Sequence, residues 1–223
     1  MQRTKLADRI LPVYSKEEEI VNTATHVIGS ILGMIVLGLC VTRSVIWGSI
    51  PGLISSIIYG ISMIALYTMS SVYHGMRPCF GKKVMQVIDH CTIYLLIAGS
   101  YTPVVVCAMI PVFPMAGWLL LGFVWILAIL AATLTAIDLM AYKVLSMICY
   151  IGMGWAIVFF LPQLLQVMST EGFVLLLAGG IAYTIGAILY GLGKKKAWMH
   201  SVFHVFVVLG SLLQFLCIYL HVL

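Results

Sequence analysis

Charge is the scarcest property of this 223-residue sequence, since only 9% of its residues are Asp, Glu, Lys or Arg. Soluble domains carry about 25% charged residues, and a chain of this size leaves much of its surface in contact with the solvent. Because 63% of the residues are apolar, this exposed surface is too apolar to face water, and lipid must surround it. The sequence therefore predicts an integral membrane protein, and its length suits a single helix bundle.

Cysteine motifs and an amino-terminal leader are also lacking. The six cysteines are scattered, and no two of them form a CxxC pair, so we expect neither a disulfide framework nor a thiolate metal site. The first 25 residues contain several charges but no apolar core of a cleavable signal peptide. We therefore expect the first membrane helix to serve as its own insertion signal.

Long uncharged stretches define the membrane spans. A helix needs about 20 residues to cross about 30 Å of hydrocarbon, so the uncharged runs 44–76 and 90–137 are too long for one span each. Turn-forming segments at 47–52 and 111–114 divide them. The sequence thus predicts seven spans, near residues 20–42, 53–74, 88–109, 115–136, 144–163, 173–192 and 198–221. Residues 1–18 are assigned to a tail and 19–223 to a seven-helix transmembrane domain, with helix kinks expected at Pro103 and Pro162.

Basic residues are divided very unevenly between the two ends of these spans. Eleven of the twelve lie at one end, and only Arg43 lies at the other. Because cytoplasmic loops are enriched in Lys and Arg, we predict a cytoplasmic N-terminus and an external C-terminus. The net charge of +5 is explained by this topology and by anionic headgroups, so no nucleic-acid partner is expected.

Ionisable residues within a bilayer are costly and are therefore candidates for function. The predicted topology brings one aspartate and five of the six histidines to the cytoplasmic end, namely Asp89, His26, His74, His90, His200 and His204. Glu19, Asn22 and His26 share one face of the first span, because they are spaced i, i+3 and i+7.

His200 and His204 are spaced i, i+4, so both face one side of a helix and can bind the same metal ion. A histidine from a neighbouring helix would complete a three-nitrogen site whose open position holds water, as in catalytic zinc sites. Asp89 is the candidate for holding and deprotonating that water. Ser70, one turn before His74, is the candidate for orienting the site or an acyl oxygen.

Simpler interpretations exist for each of these residues. A histidine near a helix end often extends to the headgroups, and His26 has an alternative role as a hydrogen-bonding group within the bundle. His90 follows Asp89 by about 100° around the helix, so it is expected to be structural. Glu17 and Glu18 are expected to be solvated.

The order of these motifs resembles the hemolysin III family, the bacterial branch of the progestin and adipoQ receptor superfamily. The resemblance extends from about residue 15 to the C-terminus and rests on Glu19-x-x-Asn22-x-x-x-His26, Ser70-x-x-x-His74, Asp89 with Gly99-Ser100-Tyr101-Thr102-Pro103, and His200-x-x-x-His204. It implies a seven-helix bundle with zinc held by His74, His200 and His204. It also places Asp89 and Ser70 beside the bound water, with Glu19, Asn22 and His26 as possible partners around the ligands.

The resemblance extends to adiponectin receptors and alkaline ceramidases, which are similar to intramembrane zinc hydrolases of lipid amides. The first functional hypothesis is therefore zinc-dependent hydrolysis of an amide or ester bond in a membrane lipid, in the bacterial inner membrane. Pore-forming cytolysis is one alternative, although no charged stripe lines the spans. A non-enzymatic sensor or regulator of membrane lipid state, with structural zinc, is the other. Binding of the zinc by a fourth protein ligand, His26 or Asp89, would favour this sensor or regulator, because structural zinc usually has four protein ligands. Oligomeric state has no signal in the sequence.

Overall fold

The computed structural model describes residues 4–192 and 196–223. The long elements in this part of the chain are all helices, in the order α1 (Lys16–Ile46), α2 (Ile50–Gly75), α3 (Phe80–Pro103), α4 (Pro114–Ile137), α5 (Lys143–Gly154), α6 (Leu161–Val167), α7 (Thr170–Leu192) and α8 (Met199–His221). Because α5 and α6 follow each other within one segment, the eight helices form seven segments long and apolar enough to cross a membrane. The predicted all-α, seven-span fold is confirmed.

α1 and α3 each begin in charged sequence, before the uncharged run that predicts the span. α1 begins at Lys16 because Ser15 caps it: the Ser15 hydroxyl accepts a hydrogen bond from the Glu18 N–H at 3.1 Å, and the Glu18 carboxylate accepts the Ser15 N–H at 2.9 Å. This reciprocal pairing satisfies two backbone donors that a helix start would otherwise leave free. α3 begins at Phe80, eight residues before the predicted start of its span.

The two predicted kinks have different outcomes. After Pro103 the third span continues as a π-helical turn through Val104–Met109, since proline has no N–H for the helical ladder. The fifth span is interrupted earlier than expected, with a 3₁₀ segment at Ala156–Phe160 joining α5 to α6. Pro162 lies in the first turn of α6, where a missing N–H costs nothing.

Three of the spans form the inner layer of the bundle. About half of the residues in the apolar windows of α2, of α8 and of the span containing α3 are buried, against 22–28% in the other four spans. Tyr67 of α2 links two of them by donating to the Ser211 hydroxyl of α8 at 2.6 Å. These inner helices carry His74, Asp89, His200 and His204, so the candidate site lies where the bundle is most rigidly packed.

Glycine allows α1 and α2 to approach closely. A Cβ atom at Gly60 would lie 2.6 Å from the Leu37 Cβ and 2.9 Å from the Leu37 Cα, which is closer than real atoms approach. Membrane helices commonly pack through such small residues. This contact fixes the position of α1 against the inner layer and, with it, the position of Glu19 and Asn22.

Candidate metal centre

Three histidine side chains converge at the end of the inner layer that is predicted to face the cytoplasm. His74 lies in the last turn of α2, and His200 and His204 lie in the first two turns of α8. The His200 Nε2 is 3.3 Å from the His74 Nε2 and 3.1 Å from the His204 Nε2. One ligand atom from each of the three lies within 4.8 Å of the others. The predicted grouping of these residues is therefore present.

These separations match the size of a zinc site. With Zn–N distances of about 2.0–2.1 Å, two nitrogens of a tetrahedral site are about 3.4 Å apart. The two shorter separations in the cluster are close to that value. All three side chains are at least half-buried, so the donors face the protein interior and not bulk water.

The hydrogen bonds on the outer side of the histidines determine which nitrogen faces the centre. The Nδ1 of His74 donates to the Glu19 carboxylate at 2.6 Å, and the Nδ1 of His204 donates to the Asn22 carbonyl at 3.3 Å. Since both acceptors lack a proton, each Nδ1 must carry one, and each Nε2 presents a lone pair. Lone pairs that converge in this way repel each other unless a cation lies between them, so the donor set fits a metal ion.

Glu19 forms an ion pair with the buried Lys82 behind His74. The second Glu19 oxygen is 2.5 Å from the Lys82 Nζ, which also donates to the Met76 carbonyl at 2.9 Å and lies 5.2 Å above the Tyr73 ring. Only 4% of the Lys82 side chain is exposed. The ammonium keeps Glu19 ionised, and ionised Glu19 holds the His74 ring in one orientation.

Lys82 was missed by sequence reasoning, which treated it as one of the cytoplasmic basic residues. One feature of the sequence could have indicated that Lys82 lies at the site. Lys82 precedes Asp89 by seven residues and therefore shares its face of α3. The positive-inside pattern supplied a sufficient explanation for a lysine at that position, so its second role was hidden.

The Asn22 side chain connects α1 to the two helices that carry the histidines. It is fully buried. Its Oδ1 accepts the Ser201 hydroxyl at 2.7 Å, and its Nδ2 is 3.5 Å from the His74 Nδ1. Asn22 thus contacts α8 through its side chain and backbone and α2 through its amide.

His26 lies beside the cluster without joining it. Its ring stacks on the His204 ring at 3.7 Å with an interplanar angle of 17°, and the Tyr67 ring meets it edge-on at 5.0 Å. Both ring nitrogens are buried and have no hydrogen-bond partner within the described residues. In residues 4–192 and 196–223, the group able to hold a metal contains only the other three histidines.

Asp89 and Ser70 lie next to the cluster. The Asp89 carboxylate interacts with the Ser70 hydroxyl and with the charges of His74 and His90. Ser70 is buried, and 14% of the Asp89 side chain is exposed. His90 turns away: its Nδ1 donates to the Gln86 carbonyl at 2.8 Å and lies 4.0 Å from the Asp89 carboxylate.

The amino-terminal segment, residues 4–15, covers the outer end of the centre. The Tyr14 ring stacks on the His200 ring at 4.9 Å with an interplanar angle of 22°, and burial raises the pKa of its phenol. Glu18 was expected to be solvated, and this was wrong. It is buried, and its carboxylate accepts the Trp198 N–H at 2.6 Å, which holds Trp198 at a φ of 67° that residues with a side chain rarely adopt.

Asp138 fastens the start of this segment to the turn between α4 and α5. Its carboxylate accepts the Thr4 N–H at 2.7 Å and the N–H groups of Met140 and Ala141 at 3.0 and 3.1 Å. These hydrogen bonds hold the pKa of Asp138 below its ordinary value, and the bond from the Thr4 N–H has the largest effect. Lys83 adds a bond from its Nζ to the Ala7 carbonyl.

Comparison with known proteins gives a consistent family relationship. Residues 14–215 match the sequence model of the family described as Haemolysin-III related. The chain is 37% identical to Hemolysin-3 of Bacillus cereus over 207 residues, 93% of each chain. It is 34% identical to the Hemolysin-3 homolog of Bacillus subtilis (strain 168), over 92% of this chain and 95% of that protein. It is 25% identical to monocyte to macrophage differentiation factor of Homo sapiens, over 74% and 69% respectively. No solved structure matches significantly.

Proposed function

Because this chain belongs to the Haemolysin-III related family, we propose that its three-histidine cluster binds zinc and that the protein hydrolyses an amide or ester bond in a membrane lipid. The family and the seven spans make it a multi-pass membrane protein. The observation that carries the proposal is the convergence of three imidazole Nε2 atoms, two of them with Nδ1 hydrogen-bonded to an acceptor. When bound, zinc supplies a water of lowered pKa and polarises a carbonyl oxygen.

Asp89 is proposed as the acid–base group. Its carboxylate interacts with the Ser70 hydroxyl, one turn before His74 on α2, and with the charge of His74, which supports a role in taking a proton from water and returning it to the leaving group. Ser70 holds that carboxylate, or donates to the acyl oxygen when substrate is bound. Glu19 and Asn22 are positioning residues, since they act through the histidine rings.

The proposed substrate is a lipid because the centre lies within the spans, close to their cytoplasmic ends. His74 lies in the last turn of α2, and His200 in the first turn of α8, so we propose that the cluster lies near the junction between headgroups and acyl chains. A bond at that depth is the amide or ester that joins the acyl chain to the rest of the lipid. The site would thus select the bond by its distance from the membrane surface.

Metal analysis tests the first half of the proposal. Detergent-purified protein is expected to contain about one zinc per chain, and the double variant His200→Ala/His204→Ala is expected to lose it. His221→Ala is the matched control, because His221 lies at the other end of α8 and contacts Ser169 instead. Full zinc retention in the double variant would sink the site.

Release of fatty acid from lipid extracts tests the second half. The purified protein is expected to release fatty acid, and Asp89→Asn is expected to stop the release while the metal remains bound. Asp8→Asn, which changes an exposed carboxylate of the amino-terminal segment, is the control. If zinc is present and no lipid class is cleaved, the enzymatic proposal is wrong and a sensor or regulator role takes its place.

The cover over the centre favours that second candidate. Tyr14 stacks on His200 and Glu18 binds Trp198, so the amino-terminal segment contacts the metal-binding histidines directly. A zinc that ties α2 to α8 beneath such a cover would suit a non-enzymatic sensor of membrane lipid state. Cytolysis, the activity in the name of the Bacillus cereus relative, has less support, because the charged side chains of the described residues lie at the two ends of the bundle and do not line a channel.

A further inference from the structure

A second candidate site lies at the opposite end of the bundle, between α1 and α8. It is an open groove of about 420 Å³, lined by Met34, Gly38, Leu39, Arg43, Trp47 and Tyr219. Its aliphatic part runs along α1 towards the middle of the span, and its polar end is at the last turn of α1. The groove is far from the histidine cluster and shares no residue with it.

Arg43 gives the groove a positive charge without a counter-ion. The guanidinium lies 4.9 Å from the centre of the Tyr219 ring, and its Nε is buried without a hydrogen-bond partner. Within residues 4–192 and 196–223, no carboxylate is at salt-bridge distance from it. Glu171, the acidic residue at that end, interacts with Ser169 and His221. Since a partly buried cation is costly unless it is paired, the groove is complementary to an anion.

The dimensions of the groove suit a lipid. Arg43 follows Met34 by nine positions, which corresponds to about 14 Å along a helix and is close to the thickness of about 15 Å of one leaflet of hydrocarbon. Gly38 forms the floor between them, and a Cβ atom there would meet no other atom within 4 Å. Trp47, beyond Arg43, is a typical residue of the membrane–water interface.

We propose that this groove binds one anionic phospholipid of the outer leaflet. Arg43 binds the headgroup phosphate, and one acyl chain lies along Met34, Gly38 and Leu39. A lipid with net negative charge is favoured over a zwitterionic one, because the latter would bring an ammonium group close to the guanidinium. The site is independent of the proposed hydrolysis, since it involves the other leaflet and the other end of α8.

Native mass spectrometry of the detergent-purified protein tests the charge recognition, with phosphatidylglycerol and phosphatidylcholine of identical acyl chains as probes. The wild type is expected to bind its first phosphatidylglycerol several-fold more tightly than phosphatidylcholine. Arg43→Gln is expected to weaken phosphatidylglycerol about fivefold, with phosphatidylcholine unchanged, and Arg43→Lys to keep most of the preference. Lys143→Gln, a change of charge at the cytoplasmic end, is the control. A preference that survives Arg43→Gln, or one that falls as much with Lys143→Gln, would overturn the proposal.

Filling the groove tests its aliphatic part. Gly38→Leu is expected to weaken the binding of both lipids without changing the melting temperature, because the new side chain occupies open space. Gly122→Leu is the matched control, since a Cβ at Gly122 also meets no other atom within 4 Å. Equal effects of the two changes would contradict the proposal. It would also be wrong if inorganic phosphate abolished phosphatidylglycerol binding, or if Gly38→Leu converted a dimer to a monomer with lipid binding unchanged, because the occupant would then be a free anion or a second copy of the chain.

Discussion

At the scale of single residues, Glu19 links the histidine cluster to a buried lysine. One carboxylate oxygen accepts a hydrogen bond from His74 and the other pairs with Lys82. A histidine that binds metal is a better ligand when a carboxylate accepts its second N–H, because the ring is then oriented and more basic. The buried Lys82 in turn compensates the charge that Glu19 brings into the bundle.

Replacing Glu19 is therefore expected to weaken metal binding. Glu19→Gln keeps the shape of the side chain but removes its charge, and loss of such a partner typically lowers metal affinity about 10–100-fold. Competition with a chelator of known affinity measures the change. The control is Glu17→Gln, two residues earlier, where the side chain is exposed. Equal zinc affinity in the two variants would show that Glu19 does not support the metal site.

Lys82 separates the contribution of charge from that of shape. Lys82→Met keeps much of the side-chain volume but leaves the half-buried Glu19 carboxylate without its cation. Removing one partner of an ion pair that is largely withdrawn from water destabilises the folded state. We expect a lower thermal midpoint for Lys82→Met than for Lys83→Met, whose Nζ contacts only the amino-terminal segment among the described residues. Equal midpoints would indicate that the Lys82–Glu19 pair adds nothing to stability.

At the scale of helices, close packing of α1 on α2 determines where the residues around the metal centre lie. The contact of Gly60 with Leu37 involves backbone as well as side-chain atoms, so a methyl group there cannot be accommodated by a rotamer change alone. A displacement of α1 would move Glu19 and Asn22 away from the histidines that they orient.

Gly60→Ala is accordingly expected to destabilise the protein by about 1–3 kcal/mol, the usual cost of overpacking. Gly38→Ala, in the facing helix but in open space, should leave stability unchanged or raise it slightly, because alanine favours the helix. Thermal unfolding in detergent compares the two. A midpoint for Gly60→Ala at or above that of Gly38→Ala would mean that α1 and α2 accommodate the added methyl group without loss of stability.

The helices and the histidine cluster were predictable because their signals are periodic. Uncharged runs gave the seven spans, and the i, i+4 spacing of His200 and His204 gave two of the three clustered nitrogens. The break at Trp155 was not predictable, since no proline or charge marks it, and Pro162 drew attention to the wrong turn. Contacts between distant residues were also missed, because the Glu18 contact with Trp198 spans 180 positions and leaves no local pattern.

At the scale of the whole molecule, the amino-terminal segment joins parts of the bundle that are distant in sequence. Thr4 binds Asp138 in the turn before α5, and Tyr14 packs on His200 of α8. The amino-terminal segment was predicted only as a tail, but it contacts the bundle at these two places. The predicted topology accounts for its basic residues but not for this position.

The pH dependence of stability tests the contact between Thr4 and Asp138. Because the pKa of Asp138 is lowered by folding, its stabilisation is complete above the unfolded-state pKa of about 3.9 and is lost as the pH falls through the folded-state value. Asp138→Asn resembles the protonated form at every pH. The thermal midpoint of the wild type is expected to exceed that of Asp138→Asn at neutral pH, with a gap that closes below about pH 4. A gap that widens in acid would have the wrong sign.

The orientation of the bundle remains a prediction and has a direct test. The predicted spans assign eleven of the twelve basic residues to the end that contains the amino-terminal segment, which predicts that this end faces the cytoplasm. Alkaline phosphatase fused after Leu223 is then expected to be active, and green fluorescent protein at the same position to be dark. The reverse pattern would place the metal centre on the outer side.

The distance along the chain between the clustered histidines has a consequence for biosynthesis. His74 and His200 are 126 positions apart, and ribosomes add about 5–20 residues per second. About 6–25 seconds therefore pass between synthesis of the first proposed metal ligand and synthesis of the second. By the end of that interval Glu19, His74 and Lys82 have all been synthesised, while Asn22 has awaited Ser201. The proposed zinc can therefore be held by all three histidines only after the last span is inserted, which would make acquisition of the ion the closing step of assembly.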